Sequence, residues 1–209
     1  MKNNRSKKQS GKFRLYWGIC LICAILIVPV QNRLESRLEV FRKDPDLLYF
    51  SSPALIKKMS FGYDGLLADV YWMRTIQYYG RRDEADKRLI RYKNLFTLLD
   101  ITTTLDPNLL DAYRAGSCFL AEADPVGAGK PHQALQLLDK GIRAHPQDWR
   151  LPYDKGFVYY WYLKDYRAAG EVWEAASRLP DAPHWMASLA AMSLKKGGAI
   201  EIAAALWEH

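Results

Sequence analysis

The sequence predicts an all-α protein: an N-terminal transmembrane helix followed by an α-solenoid of antiparallel helix pairs. Three observations carry this. Leu15 to Asn32 runs 18 residues without a charge. From Tyr63 onward apolar residues recur at helical spacing, with no strand-like alternation and no hairpin turn. A proline-containing stop then recurs, at Leu105-Asp106-Pro107-Asn108, Ala144-His145-Pro146-Gln147 and Leu179-Pro180-Asp181. Proline biases the residue before it away from the helical region, so each stop closes a helix.

The first element is a basic tail, residues 1–14. Lys2, Arg5, Lys7, Lys8, Lys12 and Arg14 lie there without an acid, six of the chain's 30 Lys/Arg. The formal charge of +7 therefore belongs to the tail, and the remainder nearly balances its 23 Asp/Glu. Nucleic-acid binding by the folded part has little electrostatic support. With 49% hydrophobic and 25% charged residues the chain is neither disordered nor wholly membrane-embedded.

The second element is the anchor, residues 15–32. At 1.5 Å per residue it spans roughly 27 Å, about one hydrocarbon core. Arg14 and Arg33 flank it, Tyr16 and Trp17 fall at the interface, and Pro29 sits in the last turn. Cys20 and Cys23 read as small apolar side chains, because hydrocarbon denies a thiol the thiolate that metal or redox chemistry needs. No small-x-small site follows the apolar run, so the segment reads as an uncleaved signal anchor rather than a cleaved leader. Six Lys/Arg precede it and four (Arg33, Arg37, Arg42, Lys43) follow closely, which places the N-terminus in the cytoplasm. The expected location is a bacterial inner membrane, single-pass, with the body periplasmic.

Residues 33–62 form a helical linker. Leu34, Leu38 and Phe41 make a narrow stripe that Asp44-Pro45 ends, and Ser52-Pro53 restarts a helix as N-cap and first residue. That short helix runs to Met59, and Gly62 breaks it. Residues 63–209 hold seven further candidate helices: Tyr63 to Tyr79, Arg88 to Leu105, Asn108 to Glu122, Pro131 to Ala144, Arg150 to Leu163, Tyr166 to Arg178 and His184 to Lys196. A stub begins at Ala199.

The three stop prolines are 39 and 34 residues apart, and the excess in the first interval fits the loop Ala123 to Lys130. Small residues keep register with them: Gly156, Ala168, Ala175 and Pro180 in one unit, Gly116, Ala134, Gly141 and Pro146 in the unit before. In this pattern the chain resembles the tetratricopeptide repeat (TPR) family, over about three and a half repeats. The first unit departs from the pattern, with Leu95 and Thr102 at the small positions, and the last runs out at Leu206-Trp207-Glu208-His209. The resemblance implies a protein-binding groove lined by the first helix of each pair. Carried over position by position, it nominates Arg150, Tyr153, Phe157, Tyr160 and Trp161, then Tyr113, Ser117 and Leu120, then Arg74, Gln77 and Tyr78.

Signs of chemistry are sparse. His132, His145, His184 and His209 share no helical face at ligand spacing, so no metal site is expected. Gly127-Ala128-Gly129-Lys130 lacks the first glycine, the Ser/Thr and the preceding strand of a phosphate loop. The expectation is a non-catalytic scaffold without cofactor or small-molecule substrate, meeting protein partners in or at the membrane and the lipid bilayer through residues 15–32. It would assist assembly of an envelope, secretion, pilus or electron-transfer complex. The alternative is a fixed subunit of a large membrane complex, docked through its repeats and its apolar C-terminal end. There Ile200, Ile202, Ala203, Leu206 and Trp207 stop mid-pattern, as in a piece of a longer chain, a stack completed by another chain, or a short last helix.

Overall fold

The computed structural model describes residues 27–29, 31, 33, 52–80, 92–124 and 126–199. Among them all regular structure is helical and no strand occurs. The chain divides into two units, Met1–Leu47 and Leu48–His209. In the first, the described residues Ile27, Val28, Pro29, Gln31 and Arg33 are helical. The rest of the expected anchor, the linker stripe and the stub from Ile200 lie outside the described residues. No helix among the described residues is long and apolar enough to cross a membrane.

The second unit opens with α1, Pro53–Met59, where the Ser52 hydroxyl accepts from the Leu55 N–H and Pro53 fills the first turn. Ile56 is its one buried side chain, packed with Ala68, Ile101 and Leu105. After a turn through Gly62 at φ 89°, α2 runs Asp64–Gly80. The third helix, α3, is Leu95–Leu105. It was expected from Arg88, but Tyr92 to Asn94 form a turn with Tyr92 at φ 67°. The cause is the Tyr92 ring, drawn into the core, with its hydroxyl donating to the carbonyls of Tyr79 or Val126 at 3.3 and 3.2 Å.

Buried threonines in α3 would compete with the helix if unsatisfied. Thr102 and Thr103 instead donate to the carbonyls of Leu98 and Leu99 one turn back, at 2.8 and 2.9 Å. At Pro107 the helix stops, with Asp106 extended. Then follow α4, Leu110–Ala121, and α5, Pro131–Ala144, again with proline in the first turn. His145 bridges two stops, its Nε2 lying 2.7 Å from the Pro107 carbonyl. The sixth helix, α6, is Arg150–Phe157 and continues as a π-helical stretch, Val158–Leu163. Lys164 at φ 58° ends it, and Asp165 caps α7, Tyr166–Ser177, by accepting from the Ala168 N–H at 3.0 Å. Finally α8 covers Trp185–Lys196.

Packing is chiefly between helices consecutive in the chain, most extensively α2 on α3, α4 on α5 and α7 on α8. The main core lies between α3, α4 and α5, around Leu95, Leu99, Tyr113, Leu120, Leu137 and Leu138. A second core, around Ala169, Trp173, Ala176, Met186 and Ala190, joins α7 to α8.

Candidate interaction surface

Close approach of helices decides where side chains can point. A Cβ on Gly116 would lie 2.4 Å from Leu99 Cδ2, one on Gly141 2.8 Å from Tyr113 Cδ1, and one on Gly156 2.2 Å from Trp173 Nε1. The three glycines nominated in these helices are thus helix contacts, and Ala134 of α5 is fully buried. In α7 the buried small residues are Ala169, Gly170 and Ala176, while Ala168 is half-buried and Ala175 exposed. The expected register is one residue out. The π-helical stretch accounts for it, because a widened turn takes up one more residue than an α-helical one.

The widened stretch is also where the aromatics gather. Tyr153 meets Trp149, Trp173 and Trp185, with centroids 6.2, 6.2 and 5.7 Å apart. Tyr160 meets Trp161, Tyr166 and Trp173 at 5.5, 5.0 and 5.6 Å, and Phe157 meets Trp161 and Tyr162 at 6.1 and 6.3 Å. Trp173, buried, donates its indole N–H to the Tyr153 carbonyl at 2.9 Å and so fixes the centre. At the rim Trp161 is 53% and Trp185 43% exposed. Lys164 lies over the Trp161 ring at 5.3 Å, and Lys196 over Tyr160 and Tyr166 at 4.8 and 4.1 Å. The Lys196 ammonium is held above its usual range, first by its hydrogen bond to the Tyr160 hydroxyl at 3.1 Å.

Of the residues nominated from sequence, Tyr153, Phe157, Tyr160 and Trp161 come together in this network. Arg150 is exposed one turn away, paired with Asp148 at 2.6 Å, and its hydrogen bond holds the Asp148 carboxyl below its usual range. Tyr113, Ser117 and Leu120 are not on a surface. All three are buried because that face of α4 points between α3 and α5, with the Tyr113 hydroxyl donating to the Thr103 carbonyl at 3.3 Å. The open face of α4 carries Asp111 and Cys118 instead. Burial of the sulfur is the first cause pushing the Cys118 thiol up, although the residue as a whole is exposed, so it is a poor nucleophile. On α2, Gln77 is exposed and Arg74 half-buried, while Tyr78 packs edge-on against Tyr92 and accepts from the Asn94 N–H at 3.4 Å.

Sequence reading passed over Trp185, Lys164 and Lys196, which lie far from α6 in the chain or beyond its end. It also passed over the outer face of α2. Leu66, Val70, Met73 and Ile76 recur there at intervals of four and three, and all are exposed. That spacing was legible, but solvent exposure was not.

Two ion pairs tie the surface to the core. Arg114 on α4 donates to Asp154 on α6 through Nε at 2.7 Å and Nη2 at 3.4 Å. Burial nevertheless holds the Asp154 carboxyl above its usual range, the guanidinium only partly offsetting it. Lys155 pairs with Asp139 of α5 at 2.7 Å. Among the described residues no group of three His, Cys, Asp or Glu could hold a metal ion. No family model, no curated protein and no solved structure matches this chain.

Proposed function

We propose that this chain is a single-pass membrane protein whose TPR-like helix pairs form a non-catalytic scaffold, holding a protein partner at the extracytoplasmic face during assembly of a membrane or envelope complex. One observation carries the reading. Four of the five groove residues nominated on α6 and its π-helical continuation join through Trp173 with Trp185 in one aromatic surface bordered by Lys164 and Lys196. Half-exposed tryptophan beside cations is the side-chain chemistry of interface anchors. Further support comes from the consecutive packing of helices, the glycine contacts and the proline stops, which together suit a stack of helix pairs.

The test is a photo-crosslinking residue at Trp161 or at Trp185 in native membranes. Capture of one protein, lost by competition with unlabelled chain, is expected. Capture of no protein from either position removes the reading. Trp161→Ala should weaken the captured complex about thirtyfold or more, the counterpart of the roughly 2 kcal/mol that truncating a hot-spot residue costs.

A second reading, a fixed subunit of a large membrane complex, is favoured by the outer face of α2. An exposed stripe at intervals of three and four suits a helix of another chain packed along it. A fixed subunit survives detergent and salt washing in constant ratio to its complex, whereas an adaptor washes off.

A further inference from the structure

Exposed apolar side chains also concentrate on α1 and the turn after it. Leu55 and Met59 are 45% and 47% exposed, Tyr63 68% and Phe61 86%. The turn that presents them is built. Ser60 is buried, and its hydroxyl is bonded to the Lys57 carbonyl and the Asp64 carboxylate. The Tyr63 N–H donates to the Ser60 carbonyl at 2.9 Å. Phe61 takes the left-handed region at φ 49°, where a side chain costs about 1–2 kcal/mol. The surroundings thus hold a phenyl ring out into solvent. Leu55, Lys58 and Met59 are exposed and share one side of α1, while Ile56 is buried. Lys57 and Lys58 stand in its last turn, Lys57 also donating to the Thr104 carbonyl at 3.0 Å, and α1 has no acid.

An aromatic and aliphatic tip with a lysine rim suits an anionic bilayer, where rings enter the headgroup layer and ammonium groups meet phosphates. So few apolar groups bind a membrane only marginally alone. Chain length changes that. Nineteen residue steps separate Arg33 from Ser52, at most about 65 Å when fully extended. With residues 15–32 in the bilayer, the tip is confined near it, at an effective concentration on the order of millimolar.

We propose that the α1–α2 turn is a second membrane contact: Phe61 and Tyr63 enter the headgroup layer of an anionic bilayer, with Leu55 and Met59 behind them and Lys58 on lipid phosphates. The contact rests on the reading of residues 15–32 as a membrane span.

The experiment uses the full chain with Cys20→Ser, Cys23→Ser and Cys118→Ser, in vesicles of phosphatidylcholine and phosphatidylglycerol. An environment-sensitive fluorophore is placed in turn at Phe61→Cys, Ile25→Cys and Val126→Cys. Position 61 is expected to be blue-shifted, shielded from iodide and quenched by shallow lipid nitroxides, while 25 is quenched by deep ones and 126 stays open. Position 61 as open as 126, with 25 quenched, overturns the contact and leaves the anchor standing. Iodide access at 25 overturns the anchor and this contact with it. Shielding at 61 without nitroxide quenching overturns it in favour of another protein or a second copy over the tip. Equal shielding in vesicles without phosphatidylglycerol overturns the role given to Lys58.

Discussion

At Gly156 the missing side chain is occupied space. The Trp173 indole lies there, held by its bond to the Tyr153 carbonyl, so it cannot turn aside without losing that bond. Gly156→Ala should destabilise the fold by about 1–3 kcal/mol, as overpacking does, and change the tryptophan fluorescence. Denaturant melts of the two proteins check the first, emission spectra the second. Gly65, in the first turn of α2, meets nothing within 4 Å, so Gly65→Ala should raise stability by about 0.5–1 kcal/mol in the same melts. Sequence pattern distinguishes these two glycines: Gly116, Gly141 and Gly156 keep step with the prolines, and Gly65 does not. What pattern could not supply was the orientation of α4. Tyr113 and Leu120 look like groove residues because their spacing is right, yet spacing fixes only which residues share a face. Which face meets a neighbour depends on contacts from Leu99 and Leu137, distant in the chain.

Between elements, polar contacts decide how α4, α5 and α6 register on one another. Lys140 of α5 reaches the C-terminal turn of α3, with the Asp100 carboxylate, the Asp100 carbonyl and the hydroxyls of Thr103 and Thr104 all within 2.9 Å. A cation is favoured at that negative end of the helix. Lys140→Met keeps the aliphatic stem and removes the charge, and should cost about 1–2 kcal/mol in denaturant melts. Asp154 behaves differently. Burial raises its folded-state pKa above the unfolded value, so its contribution is most favourable below the unfolded value and falls as pH rises through the folded one. Arg114 opposes that rise, and Arg114→Ala removes the opposition. The gap in stability between Arg114→Ala and the unmodified protein should therefore be wider at pH 7 than at pH 4. At pH 7 it should be roughly 1–2 kcal/mol, since the guanidinium is over a third exposed. Helix existence was legible throughout the described part, because periodicity and proline stops are local. The π-helical stretch was not: Val158 to Leu163 fits an α-helix equally well by composition, and the shift to Ala169 and Ala176 follows from it.

For the whole molecule, the proposed stack makes a claim that a closed bundle does not. If each helix rests mainly on its chain neighbours, damage at one end should stay there. The two cores allow this to be tried, since α7 and α8 pack around Trp173 and Met186 while α3, α4 and α5 pack around Leu99 and Leu120. Gly170 is the place to apply it. A Cβ there would meet Leu194 Cγ at 2.5 Å and the Leu194 backbone nitrogen at 3.0 Å, so α7 and α8 must separate. In Gly170→Ala, amide hydrogen exchange in α7 and α8 should speed up by about five- to 150-fold, the counterpart of about 1–3 kcal/mol of local destabilisation. Amides of α3 and α5 should keep their protection. Should every helix lose protection by the same factor, the second unit opens as one body, and the stacked-pair reading fails even with all its helices in place.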